Sequence, residues 1–185
     1  MMGFYCMAFM LFNSFMVPYA AQYGIEGIGT FFTVYALVLL FSRPLSGRLL
    51  DRFGASKIFY PCTALFILSY VLVGTVHKLP VLLLAAAIAG ASWGSLQPSM
   101  QAMAMQSVPP QKRGVASNTC YWGMDLGYFV GPTLGGIVAA KTGSYGTMYL
   151  CAIVPILIGF VIFLTTWKRF RRRLAALQQE EQSRQ

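Results

Sequence analysis

The chain has 185 residues, of which 57% are hydrophobic and 10% charged, with a mean hydropathy of +0.61. A soluble domain carries about 25% charged residues to keep its surface wetted, so this composition excludes a soluble enzyme, a disordered chain and a secreted disulfide scaffold. The net charge of +9 is not a nucleic-acid signal: the basic residues stand at the ends of apolar runs, not along a solvated face with aromatics between them.

The apolar runs are about 20 residues long, enough for a helix rising ~1.5 Å per residue to cross ~30 Å of hydrocarbon. Six membrane helices are predicted, over residues 2–22, 28–50, 57–76, 80–105, 114–140 and 145–167. Turn residues separate them: Gly24 and Gly27, then Gly54, then Pro80, then Pro109 and Pro110. No run alternates apolar with polar residues as a membrane β-strand must. The fold class is therefore all-α, a polytopic membrane protein whose first partner is the lipid bilayer.

The first helix carries Asn13, Tyr19 and Gln22 as its polar groups. Arg43, Arg48, Arg52 and Lys57 follow at and after the end of the second, and Lys112 and Arg113 after the fourth. Lys168, Arg169, Arg171, Arg172, Arg173 and Arg184 lie beyond the sixth, whereas the opposite side holds only Lys78 and Lys141. That asymmetry predicts cytoplasmic termini. Met1 leads straight into the first span with neither a positive flank nor a signal-peptide cleavage site, so a preceding cytoplasmic segment is expected. Residues 1–167 form the membrane domain and 168–185 a basic, polar cytoplasmic tail.

At the outer end of the third helix, His77 reads as an interfacial residue. One histidine and five acids give no converging metal-ligand set, and no cofactor is expected. Cys6, Cys62, Cys120 and Cys151 form no CxxC pair and read as small hydrophobes. No nucleophile and base pair at membrane depth, so the chain is not read as an enzyme.

The fourth helix places Trp93, Gln97 and Gln101 at i, i+4 and i+8, with Pro98 as a local break and Gly90, Ala91 and Gly94 thinning the helix. Two readings are open: a cavity lining with the indole as a stacking wall, or an ordinary interhelical hydrogen bond through the glutamines. The fifth helix is two-sided. Asn118, Tyr121, Asp125, Tyr128 and Pro132 share one face, while Gly123, Gly127, Gly131 and Gly135, extended by Gly136, lie roughly opposite. Small residues at that spacing let two backbones approach closely. Asp125 falls about 16 Å into the helix, near the bilayer midplane. It is either a functional carboxylate able to take up and release a proton, or a structural partner of a neighbouring helix.

Two segments together carry a family pattern. Gly47-Arg48-Leu49-Leu50-Asp51-Arg52-Phe53-Gly54 resembles the G-x-L-x-D-R-x-G loop of the major facilitator superfamily. Gly127-Tyr128-Phe129-Val130-Gly131-Pro132-Thr133-Leu134-Gly135-Gly136 resembles the G-x-x-x-G-P-x-x-G-G element associated with drug–proton antiporters of that superfamily. The turn from Pro109 through Lys112 and Arg113 to Gly114 fits the approach to that helix. Two departures matter: Ala55 and Ser56 follow the loop where two basic residues are usual, and Ala85 to Ala91 occupy the place of an intramembrane arginine. Both point to the second half of a 12-helix transporter, helices 7–12.

The resemblance implies efflux of a small molecule by alternating access, possible proton coupling, location in the cell membrane, and a second six-helix half as partner. The cavity candidates are Asn13, Trp93, Gln97, Gln101 and Tyr121, with Asp125 as the coupling residue. Gly47, Arg48, Asp51, Arg52 and Gly54 form a cytoplasmic gating loop. Its Asp51 is placed to pair with Arg43, Arg48 or Arg52 and latch one conformation; plain topology-setting charges are the other reading. Gly123, Gly127, Gly131, Pro132, Gly135 and Gly136 are the helix-packing candidates. Two further possibilities stand beside the half-transporter: a six-helix membrane protein that transports nothing and serves as an assembly partner, and a homodimer that builds its own 12 helices.

Overall fold

The structure, a computed structural model, describes residues 1–182, with side chains over residues 1–167 apart from Asp51 and Ala55. The described chain is helical almost throughout: α1 (Met2–Gln22), α2 (Gly29–Phe53), α3 (Ala55–Thr75), α4 (Leu79–Gln106), α5 (Arg113–Thr142), α6 (Tyr145–Cys151) and α7 (Ile153–Gln182). A single 3-10 turn, Pro110–Lys112, precedes α5. Successive spans run in opposite directions, with α6 and α7 together making the last one. One end of the bundle therefore gathers the basic loops at Gly54 and Lys112, a basic rim, and the other gathers Tyr23, His77 and Ser144.

Among the described residues, five stretches are long and apolar enough to cross a membrane: Met2–Gln22, Gly29–Leu50, Ser56–Thr75, Leu79–Gln106 and Tyr145–Trp167. The remaining predicted span, α5, has 30 residues and a length of about 45 Å, but its glycines, Asn118, Thr119 and Asp125 dilute its apolarity. The predicted sixth span, 145–167, divides at Ala152 into α6 and α7. Pro155 explains the break, because it has no N–H to offer the Cys151 carbonyl one turn back. The backbone of the predicted tail continues α7 to Gln182.

Aromatic rings fill the interior. Tyr5, Phe12, Phe66, Tyr70, Trp93 and Tyr149 are all buried. Phe12 lies 4.4 Å from Tyr70 and 5.5 Å from Tyr149, and Phe66 lies 5.1 Å from Tyr70. The Tyr5 hydroxyl reaches Thr63 Oγ1 at 3.1 Å, and Tyr149 donates to the Leu11 carbonyl at 3.1 Å, so these phenols carry their polar atoms into the core with partners.

Glycine sets how closely the helices approach. A Cβ on Gly127 or Gly131 would collide with the Gly3 or Met7 carbonyl of α1, and one on Gly135 with the Leu11 side chain. On α4, a Cβ at Gly90 would stand 2.8 Å from the Tyr35 carbonyl of α2, and one at Gly94 would strike Ser42 Oγ. Gly90 and Gly94 thus serve the α2–α4 seam. Without these side chains, dispersion contacts and backbone proximity take over the packing that lipid cannot drive.

The rim away from the basic loops is clasped by polar groups. Tyr19 donates to the Val73 carbonyl at 2.7 Å, and its hydroxyl is also 2.7 Å from His77 Nδ1. The Tyr23 ring stacks on His77 at 3.7 Å, and its hydroxyl meets Ser144 Oγ at 3.1 Å. Gln22 accepts from the Tyr145 N–H at 2.9 Å. Tyr19 and Gln22 therefore tie α1 to α3 and to the α5–α6 turn. On the basic rim, Gly54 turns α2 into α3 at φ 81°, a conformation that glycine adopts without steric cost.

Candidate functional site

The site begins with a proline. Pro98 lacks the N–H that would satisfy the Gly94 carbonyl, and an unsatisfied carbonyl is costly where water is absent. The Ser46 hydroxyl of α2 is the nearby donor, its Oγ 3.2 Å from that carbonyl and 2.7 Å from the Arg43 carbonyl of its own helix, so its one proton is shared between them. One turn away, Ser42 Oγ donates to the Gly90 carbonyl at 3.3 Å. Two serines thereby fix α2 against the glycine face of α4. Arg43, adjacent to Ser42 in sequence, emerges at the edge of this seam.

Beside Pro98 is a cavity of about 340 Å³ lined by Arg43 of α2, Gln97, Pro98 and Gln101 of α4, and Tyr121 of α5. Gln101 Nε2 lies 4.0 Å from the Met124 thioether, a weak acceptor, which leaves most of the amide's capacity free. The lining mixes one cation, two amides and one phenol. It offers donors in excess of acceptors, together with an aromatic face.

Helical rise gives the depth. Arg43 stands ten residues before the Phe53 end of α2, about 15 Å from the basic rim. Gln97 stands nine residues before the end of α4, and Tyr121 eight residues into α5, at about 14 and 12 Å. Asn13 and Asp125, eleven and twelve residues into α1 and α5, lie at about 17 and 18 Å. Gln101, five residues before the end of α4, is about 8 Å from that rim, so the cavity lies on the basic-rim side of the bundle, with Asn13 and Asp125 deeper.

Three of the predicted cavity residues, Gln97, Gln101 and Tyr121, come together in the cavity. Tyr121 is 50% exposed. Asn13 and Asp125 are exposed, outside its described lining. Asp125 lies within electrostatic reach of Cys6 and Tyr128, and among the described residues it forms no hydrogen bond or ion pair with a neighbouring helix. Trp93 is elsewhere: it is 2% exposed, stacked face to face on Phe9 at 4.2 Å and 7° and on Phe66 at 5.5 Å. Its indole faces the aromatic core.

Gly47, Arg48 and Arg52, expected in a loop, lie instead in the last turns of α2, which runs on to Phe53, and Gly54 makes the turn that follows; all four are exposed at the basic rim, with the Arg52 guanidinium 5.4 Å from the Phe53 ring centre. The expected pairing of Asp51 lies outside the described side chains. Gly127, Gly131 and Gly135 are buried against α1, while Gly123, Pro132 and Gly136 are half-buried.

Arg43 is the lining residue that sequence reasoning missed, because counting charges by side groups it with the loop arginines. Its position ten residues inside the helix was the available signal. Tyr35, two turns earlier on α2 and within electrostatic reach of Arg43, holds a buried hydroxyl with no hydrogen-bond partner among the described residues.

A family model described as Major Facilitator Superfamily matches residues 1–184. Multidrug export protein EmrB of Haemophilus influenzae is 30% identical over 138 residues, covering 74% of this chain and 26% of that protein. Multidrug resistance protein MdtG of Dickeya zeae is 28% identical over 180 residues, 94% of this chain and 43% of its own. Fatty acid resistance protein FarB of Neisseria gonorrhoeae is 30% identical over 146 residues, 78% of this chain and 28% of its own. The chain thus spans less than half the length of each of these relatives.

Proposed function

Because the chain belongs to the major facilitator superfamily, we propose that it forms one six-helix half of a secondary transporter that exports small molecules by alternating access. The polar cavity, about 8–15 Å in from the basic rim, carries this reading. A membrane protein places an arginine, two glutamines and a tyrosine at that depth only where they face protein, water or a ligand. Two similar proteins are named for multidrug export or resistance, which supports efflux as the direction.

Asn13, Arg43, Tyr121 and Asp125 are exposed on this half. Lipid is a poor neighbour for such groups, so a second six-helix half is the wall that closes the cavity, with the substrate site at the interface. Asp125 is the proton-coupling group, since it is the one acid of the spans and is held by no hydrogen bond or ion pair among the described residues. The segment from Gly47 to Gly54, the end of α2 and its turn, acts at the cytoplasmic face as the latch between conformations.

The test is Asp125→Asn in the full-length protein, reconstituted with a pH gradient. Gradient-driven flux falls at least tenfold while substrate still binds. Flux that keeps both its rate and its response to the gradient would remove Asp125 from coupling.

A further inference from the structure

We propose that Arg43 is the anchor for a single carboxylate, so that the transported molecules include organic monoanions. The proposal rests on the transport reading above and assigns a substrate class to its cavity.

Arg43 stands about 15 Å along α2 from its Phe53 end and seven residues, about 10 Å, inside the Leu50 end of the apolar stretch, and its side chain lines the cavity with Gln97, Gln101 and Tyr121. Among the described residues no acid pairs with it, and Asp125, the acid at similar depth, lies outside the described lining. A guanidinium cannot shed its proton to escape this environment. With no counter-charge among the described side chains, which do not include Asp51, the guanidinium is open to a charge brought by a ligand.

The cavity matches an anion of one charge. Arginine presents paired N–H donors that fit both oxygens of a carboxylate, and such charge-assisted pairs are short and strong. Gln97 and Gln101 add amide donors without adding charge, and Tyr121 offers a phenol and a ring for an apolar body. A dianion would leave one negative charge uncompensated in the cavity. The volume, about 340 Å³, falls within the range of small-molecule pockets, about 300–1,000 Å³. A neutral molecule of the same shape would leave the guanidinium unpaired, so the site discriminates by charge.

The probes are 1-naphthoate and its neutral counterpart 1-naphthamide, which share shape and differ in charge. Binding is measured by equilibrium dialysis against the full-length protein in nanodiscs, with empty nanodiscs subtracted for lipid partition. The wild-type protein binds the acid at least tenfold tighter than the amide. Arg43→Gln abolishes that preference, whereas Lys78→Gln, which removes a cation at the opposite rim, preserves it. If Arg43→Gln gives no monodisperse protein, Arg43→Lys decides: a preference reduced threefold or more supports the anchor, and an undiminished one overturns it.

Equal wild-type affinity for acid and amide also overturns it, and is the result expected if an acid of the second half neutralises Arg43. Saturable amide binding weakened by Gln97→Leu, with no preference for the acid, removes the anion assignment and leaves the cavity reading intact. No saturable binding of either compound removes both.

Discussion

Trp93 is held between Phe9 and Phe66 with almost none of its surface open, so its contribution is to packing. Replacing it with alanine deletes a buried indole and two ring stacks, a loss of about 3–5 kcal/mol. The expected outcome for Trp93→Ala is a lower denaturation midpoint in detergent, with residual substrate affinity unchanged in the fraction that remains folded. Weaker binding at unchanged stability would instead make the indole a cavity wall. Helical periodicity places Trp93 on the same stripe as Gln97 and Gln101, and that much was legible. A stripe long enough to carry all three runs from an aromatic core into a polar cavity, and the neighbours that divide it, Phe9 of α1 and Phe66 of α3, are not local in sequence. Arg43 was obscured for the converse reason: its charge is local and obvious, but its depth depends on where α2 ends.

At the level of elements, the glycine repeat of α5 was readable from spacing alone because close helix approach needs only small residues at regular intervals. What spacing does not give is which helix fills the groove. In the structure that helix is α1, with Gly3 and Met7 beneath Gly127 and Gly131. A graded prediction follows. Gly131→Ala drives a methyl into the Met7 backbone, which has no rotamer with which to yield, and costs about 1–3 kcal/mol. Gly136→Ala places its methyl 3.5 Å from the Phe15 ring, an ordinary contact, and changes stability by less than about 0.5 kcal/mol. Thermal melts of the two variants side by side check the ranking; equal midpoints would mean that α1 does not pack on this face. The seam between α2 and α4 follows another rule. There Pro98 removes a helical hydrogen bond and the Ser46 hydroxyl of the neighbouring helix, shared with the Arg43 carbonyl, offers a partial replacement, a compensation visible only once the two helices are placed together.

For the whole molecule, length and apolarity were enough to give helices at all six predicted positions, because a chain in hydrocarbon must satisfy its backbone internally. The division of the last span at Ala152 was signalled by Pro155, and the low apolarity of α5 by its glycines and polar residues. One half of the molecule clasps itself at the rim where Tyr19, Tyr23 and His77 meet. Elsewhere it exposes both apolar residues such as Phe41 and Leu164 and polar residues such as Tyr121 and Asp125. The proposed function requires these two exposed surfaces to meet different solvents, lipid for the first and water or substrate for the second. The most direct measurement is thiol labelling in native membranes by a membrane-impermeant maleimide, using a cysteine-free full-length background that carries either Tyr121→Cys or Leu164→Cys. A water-accessible cavity gives rapid labelling at position 121, slowed by bound substrate, and almost none at position 164. Labelling at 121 as slow as at 164 would contradict a cavity on this face.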